Sequence, residues 1–398
     1  MGRFPANETR CWRLISPRIK RHYIKFIPLV LVFTIISLTY FRDHLPYVPK
    51  KHRISSYDIE IEESFRQDRL TPGGPNGFLP RHKARRYCKN HNWEPYPYRE
   101  TRRKTYDLFL INTELDWLEI RLNELQHHVD YFVILESATT FTGHPKPLTL
   151  HDNWDQFSKF HSKIIYHLLE DPPSSNRSWD HEIHQRNAMY SQVLPKLEGE
   201  KAPKEGDVIL VSDIDEIPRP ATLTLLRNCD FPRRLTLRSR FYYYSFQWLH
   251  RGAEWAHPQA TTFSGVNTTI LPQDLRGGHG IPLFDKMFRT GEKARSADLW
   301  NAAWHCSSCF KTIGELLGKM ESFSHTEYNE EKFRERERIV DRVRKGKDLW
   351  DRWGQWYNRV EDNKDVPGYL KEEGREKRFG YMLDRDGVDA GFADYEER

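Results

Sequence analysis

Cysteine is scarce in this chain, five in 398 residues, and only Cys306 and Cys309 have Cys-x-x-Cys spacing. Without a second such pair or thioredoxin-like surroundings, neither a zinc ribbon nor a redox relay is supported; the pair reads as a structural disulfide or two buried thiols. Internal repeats are absent, which removes solenoids and propellers. Charge of one sign is also missing: 62 Lys and Arg stand against 57 Asp and Glu. The formal +5 comes partly from the N-terminal tail, so there is no case for nucleic-acid binding. Long apolar runs are missing too, with one exception. Aromatic residues, by contrast, are plentiful, with twelve tryptophans. Most such side chains belong to a core, although aromatic faces also stack on sugar rings.

The exception is Phe26 to Phe41, FIPLVLVFTIISLTYF, extended by Tyr23 and Ile24. It is just short of the ~20 residues of a bilayer-spanning helix and carries aromatics at both ends. Arg3, Arg10, Arg13, Arg18, Lys20, Arg21 and Lys25 precede it against Glu8 alone. The positive-inside rule then puts residues 1–22 in the cytosol, a signal anchor at 23–41 and the rest in the lumen. No small-x-small site follows, so a retained anchor is preferred over a cleaved signal peptide. A short span suits the thinner membranes of the secretory pathway, and a single-pass type II protein of the Golgi membrane is expected. Asn176-Arg-Ser178 and Asn267-Thr-Thr269 are then lumenal glycosylation sequons, and Asn7-Glu-Thr9 is cytosolic.

Residues 42–104 are basic, proline-bearing and aperiodic, and read as a stem. The pattern changes at 105. Tyr106 to Asn112 reads as a strand, Trp117 to His128 as a helix and Tyr131 to Leu135 as a strand, which together make a βαβ unit. Ile164 to Leu168 and Val208 to Val211 add strands, with a helix from His181 to Lys196 between them. This alternation predicts an α/β catalytic domain over 105–385, with a mostly parallel sheet flanked by helices. A charged helix is expected over Glu330 to Arg352, and residues 386–398 read as a tail.

The Val208 to Val211 run delivers Asp213 and Asp215 to a strand end, with Pro218 and Pro220 expected to stop any regular element soon after. Two hard oxygen ligands one residue apart suit Mg²⁺ or Mn²⁺, which neutralises a substrate diphosphate. Arg186, on the helix before this strand, is placed to reach a ribose or diphosphate, or to pair with Glu182 one turn away.

Three blocks together resemble glycosyltransferase family 17: Asn112 to Leu148, then VILVSDIDEIPRP, then AWHCSSCF with the later KMESFSH. The resemblance runs from about Thr105 to Leu383 and implies a GT-A type fold. It also implies inverting transfer of GlcNAc from UDP-GlcNAc to a mannose-containing glycan on a glycoprotein or glycolipid. Under it, Asp213 and Asp215 hold the metal, His305 completes the metal shell, and Glu216 orients the loop or the acceptor. Glu136 and Ser137 become candidates for the uridine pocket, with a buried structural hydrogen bond as the alternative for each. Lys319 and His325 become candidates for donor phosphate. Inverting transfer needs a general base, and Glu216, Glu254 and Asp285 form an unranked shortlist. From Arg251 to Arg276 the resemblance thins, which is where acceptor recognition is expected. Two other readings compete. A glycoside hydrolase needs carboxylates ~5 to 9.5 Å apart across a bond, which suits adjacent aspartates poorly. A silent carbohydrate-binding homologue would keep the fold without turnover.

Overall fold

Thr105–Ile111 (β1), Tyr131–Glu136 (β2), Ile164–Leu168 (β3) and Val208–Val211 (β4) pair in parallel in the order β4-β1-β2-β3. TYDLFLI, YFVILE and VILV are almost wholly buried. Continuous apolar runs of this kind are what a sheet covered on both faces requires. The Leu115–Leu125 helix crosses from β1 to β2 and packs in the main core through Leu118, Leu122 and Leu125. Ala188 and Met189, from the Ser178–Ser191 helix, pack in a second cluster with Tyr106, Leu108 and Val133. The structure is a computed structural model, and its described residues are 52–67, 76–170, 175, 177–278 and 296–396. They all belong to one compact unit, Pro49–Arg398. The apolar run read as an anchor, the cytosolic tail, Asn176 and Asp285 lie outside the described residues. Among those residues no helix is long and apolar enough to cross a membrane.

The other half of the sheet is mixed, with antiparallel pairs around one long parallel pair. Glu216–Pro218 (β5), Arg234–Tyr243 (β6), Ser245–His250 (β7), Gln259–Thr262 (β8), Ser296–Ser307 (β9) and Tyr357–Arg359 (β10) complete it. β8 runs antiparallel to both β4 and β6 and so joins the halves. β9 lies parallel to β6 and antiparallel to β5. The parallel expectation therefore holds for the four strands before the acidic loop. Beyond that loop the chain turns tightly, as at Tyr244 with φ 64°, and tight turns make antiparallel neighbours.

Several boundaries differ from the sequence reading. Where described, the expected stem is folded: Ile54, Leu79, Ala84 and Tyr87 are in the main core, and Cys88 is disulfide-bonded to Cys229. The Arg81–Asn90 helix buries only Ala84, Tyr87 and Cys88, so its narrow apolar face is hidden among charges. Pro218 and Pro220 do not end regular structure: Pro218 closes β5, and Pro220 opens the Pro220–Asn228 helix, where a missing N–H costs nothing. The charged helix divides into Glu331–Arg334 and Arg336–Arg344, with Glu335 extended at ψ 123° between them. Phe333 and Ile339 are both buried, and six residues apart they cannot share one helical face.

The expected tail is docked as well. Ala390 and Phe392 are buried, and Asp394 accepts the N–H groups of Ile313 (2.7 Å) and Gly314 (3.0 Å) at the start of the Ile313–Ser322 helix. Arg385 is fully buried and donates to the carbonyls of Tyr244, Phe310 and Ala390. In the turn after β8, Asn267 is exposed, whereas the Thr269 hydroxyl is tied to Gly265 O at 2.7 Å and Ser264 N at 2.9 Å.

Candidate functional site

The loop after β4 is shaped by a residue far from it in sequence. Arg121, on the Leu115–Leu125 helix, is fully buried. It donates to Asp107 Oδ1 at 2.6 Å and Oδ2 at 2.8 Å, and to Ser212 Oγ at 2.6 Å. It also donates to the carbonyls of Asp213 (2.9 Å), Ile214 (3.2 Å) and Glu216 (2.9 Å). A planar guanidinium with five donors can fix three loop carbonyls and a carboxylate at once. The sequence reading missed it. Its only signal was a cation at position 121 between the apolar Ile120 and Leu122.

Glu216 turns back into the same loop. It is fully buried, accepts the Asp213 N–H at 2.7 Å and the Trp255 indole N–H at 2.6 Å, and is bound by both terminal nitrogens of Arg276. With both oxygens engaged it is a brace for the loop and has no face open to an acceptor hydroxyl. Arg276 also bonds Asp213 Oδ2, and Arg186 reaches Asp213 Oδ1 at 3.2 Å and Glu182 at 2.8 Å. Arg186 therefore makes the expected pair with Glu182 and also faces the acidic loop. Burial alone would raise the Asp213 pKa, but Arg276 and Arg186 outweigh it and hold the carboxyl below its ordinary value.

Asp215 has different partners. β9 pairs His305 with Glu216 across β5, which sets the imidazole beside the loop, with Nδ1 at 3.5 Å from Asp215 Oδ1. Lys319, on the Ile313–Ser322 helix, comes within 3.6 Å of Asp215 Oδ2. Burial opposes ionisation of Asp215, but Lys319 and His305 prevail and keep it well below the usual carboxylate range. The His305 ring is held in place by aromatic neighbours: Phe241 and Trp255 lie stacked against it at 5.0 and 4.9 Å. Its Nδ1 is buried and makes no hydrogen bond. A buried imidazole nitrogen whose polar neighbour is a carboxylate oxygen 3.5 Å away fits a divalent cation. Asp213 fits less well, because two arginines hold its carboxylate. Among the described residues no cluster of three or more His, Cys, Asp or Glu side chains is arranged as a ligand set. The fit is thus a two-residue one, an imidazole and a carboxylate, which would leave the rest of a cation's shell to substrate phosphates and water.

These groups open onto a cavity of about 370 Å³, within the range of small-molecule sites. Asp213, Asp215, Arg186, His305, Lys319 and His325 all line it. His325 lies at its edge, bonded to Glu327 at 2.7 Å and packed edge-on against Trp179. Other predicted residues fall elsewhere. Glu136 is fully buried and accepts the N–H groups of Leu150 and His151 and the Tyr166 hydroxyl. Ser137 accepts from Thr139 N at 3.1 Å. Both realise the structural alternative: they fix the segment that carries Thr139, Thr140 and Phe141 into the cavity wall. Glu254 accepts from Asn301 N at 2.7 Å and from Arg53, and it is not among the wall residues. Cys306 and Cys309 form a disulfide beside His305, and Ser307 and Ser308 between them line the cavity.

The model described as glycosyltransferase family 17 matches residues 77–268 and 284–364. The human and rat proteins named beta-1,4-mannosyl-glycoprotein 4-beta-N-acetylglucosaminyltransferase are 27% and 28% identical over 236 residues. That stretch is 54% of this chain and 42% of each relative, so the match spans about two-fifths of their length. Among solved structures, a mannosyltransferase of Pyrobaculum calidifontis in complex with GDP-Man and Mn²⁺ matches over 73% of this chain and 74% of its own at 12% identity. Its TM-score of 0.29 is too low to bear on the fold or the chemistry. The family match covers well over half of the 398 residues, and the chain belongs to glycosyltransferase family 17.

Proposed function

We propose that this cleft transfers an N-acetylglucosaminyl group from UDP-GlcNAc to a mannose-containing glycan, with inversion and with Mn²⁺ or Mg²⁺ on the donor diphosphate. The carrying observation is the buried, unbonded His305 Nδ1 facing Asp215 at a strand-end cavity. The names of the relatives support the donor and the acceptor class. Asp215 and His305 would hold the cation, which when bound would neutralise diphosphate charge as the glycosidic bond breaks. The chain's own cations act beside it. Arg186 and Arg276 keep Asp213 ionised and the loop closed, and Lys319 offers an ammonium to a phosphate oxygen.

Proton removal from the acceptor hydroxyl requires a carboxylate in the cleft. Glu216 has no free oxygen, Glu254 is outside the wall, and Glu182 is tied to Arg186 and Ser324. The base in this proposal is Glu114, a wall residue whose Oε2 is fixed by the N–H groups of Asn112 and Thr113, both at 2.9 Å. One observation favours a second reading, in which Lys319, already 3.6 Å from Asp215, serves the diphosphate without metal.

The test is UDP release by the full chain from a panel of UDP-sugars, with a mixed N-glycan acceptor, Mn²⁺ or chelator. Metal-dependent release from UDP-GlcNAc that rises with acceptor is expected. Asp215→Asn should abolish it, and Glu114→Gln should lower kcat by ~10²-fold or more. Release indifferent to chelator would favour the lysine reading, and no release from any donor would end the transferase proposal.

A further inference from the structure

The disulfides Cys88–Cys229 and Cys306–Cys309 differ in how much chain they enclose, with sequence separations of 141 and 3. Stabilisation through the unfolded chain grows with the length of the closed loop, so the short bridge adds far less of it than the long one. Nor is the short bridge placed for thiol exchange. Both of its cysteines are buried, at 0 and 1% exposure, whereas a reactive dithiol must be open to its partner. Its position sets it apart. Cys306 follows His305 on β9, and its N–H donates to the Asp215 carbonyl at 3.4 Å. Cys309 lies on the chain that leaves β9, just before Thr312, the cap of the Ile313–Ser322 helix that carries Lys319. The bridge thus closes the joint between the two elements whose side chains converge on Asp215, His305 Nδ1 at 3.5 Å and Lys319 Nζ at 3.6 Å.

The joint is sharply bent. Ser308 takes φ 57°, a left-handed conformation that a serine keeps only where its surroundings impose it. The Tyr244 N–H holds the Ser307 carbonyl at 2.9 Å, and Arg385 holds the Phe310 carbonyl at 2.6 Å. Each of these anchors one side of the turn to its surroundings, and the disulfide joins the two sides to each other. We propose that the Cys306–Cys309 bridge is a positioning device for the cation and diphosphate end of the cleft: it fixes the strand that carries His305 against the helix that carries Lys319, and so sets the spacing of both around Asp215. This rests on the metal-assisted reading of the cleft. Groups that support a metal's ligands from behind fix their orientation, and their loss commonly weakens metal binding by about 10 to 100-fold. Without the bridge Ser308 leaves the left-handed region, and the end of β9 moves with it.

The experiment compares the full chain with Cys306→Ala/Cys309→Ala, with Cys88→Ala/Cys229→Ala, and with His305→Gln alone and combined with Cys306→Ala/Cys309→Ala. It measures binding of Mn²⁺ alone by the EPR signal of the free ion, the urea midpoint, and UDP release from UDP-GlcNAc. Opening the short bridge should raise the Mn²⁺ Kd about tenfold. It should move the urea midpoint less than opening the long bridge, which should leave the Mn²⁺ Kd near wild type. In the His305→Gln background, removing the short bridge should cost little further affinity, because the group that it positions is gone. An unchanged Mn²⁺ Kd overturns the proposal, as does an equal further loss in the His305→Gln background. If Cys306→Ala/Cys309→Ala does not fold, Cys309→Ala alone opens the bridge and keeps the Cys306 side chain in the core; failure of both to fold assigns the bridge to stability and overturns the proposal. A wild type that binds Mn²⁺, and loses affinity when the bridge is opened, yet releases no UDP, ends the transfer reading alone. A wild type that releases UDP and binds no Mn²⁺ ends the metal reading and the positioning role with it.

Discussion

Arg121 shows how one side chain sets the shape of the acidic loop. Its guanidinium satisfies the buried Asp107 carboxylate and three carbonyls of the chain that carries Asp213 and Asp215. Replacement by Met leaves Asp107 charged, buried and unpaired, an outcome that costs about 3 to 5 kcal/mol. Arg121→Met should therefore lower the urea midpoint sharply, whereas Arg121→Met/Asp107→Leu should recover much of the loss. Equal stability of wild type and Arg121→Met would remove Arg121 from this role. The place of the aspartates was legible, because the apolar strand Val208–Val211 ends just before them and delivers both to the cavity wall. Their partners were not. Arg121 precedes the loop by 92 residues and Arg276 follows it by more than 60. Local sequence carries no trace of such pairings. Glu136 misled for a related reason: being at a strand end says nothing about which backbone amides will claim a carboxylate first.

At the scale of elements, the Ile313–Ser322 helix joins the C-terminal region to the site. Thr312 and Glu315 form a capping box at its start, Asp394 caps it from the docked C-terminal segment, and its far end delivers Lys319 to Asp215. The Thr-x-x-Glu pattern is a local signal for its start, whereas the cap supplied by Asp394 comes from 81 residues further on and has none. Thr312→Ala should lower stability by about 1 kcal/mol. Asp394→Ala should add a similar loss, because the N–H groups of Ile313 and Gly314 then face only water. Chemical denaturation of the two single variants and the double would check this; no change in either would show that the helix start needs neither cap. The split of the charged helix at Glu335 was hidden because interleaved acids and bases look alike whether one helix or two carries them. Only the spacing of Phe333 and Ile339 distinguished the cases.

For the whole molecule, the fold begins earlier and ends later than composition suggested. The bond between Cys88 and Cys229 has a sequence separation of 141, and Tyr87 adds a hydrogen bond to the Ala221 carbonyl. Such a link stabilises by about 2 to 5 kcal/mol, chiefly through the unfolded chain. A fragment beginning at Thr105, the boundary that composition alone would choose, should be insoluble or melt far below one beginning at Pro49. Equal melting of the two fragments would show that the N-terminal region is dispensable to the fold.

The turn at Gly265 to Thr269 adds a matter of timing. Attachment of a glycan at an Asn-x-Thr sequon needs the threonine hydroxyl as well as the asparagine amide. In the folded chain the amide of Asn267 is exposed, but the hydroxyl of Thr269 is turned inward onto Gly265 and Ser264. Any glycan placed on Asn267 would therefore have to be added between synthesis of this turn and its closure, before the surrounding sheet has formed.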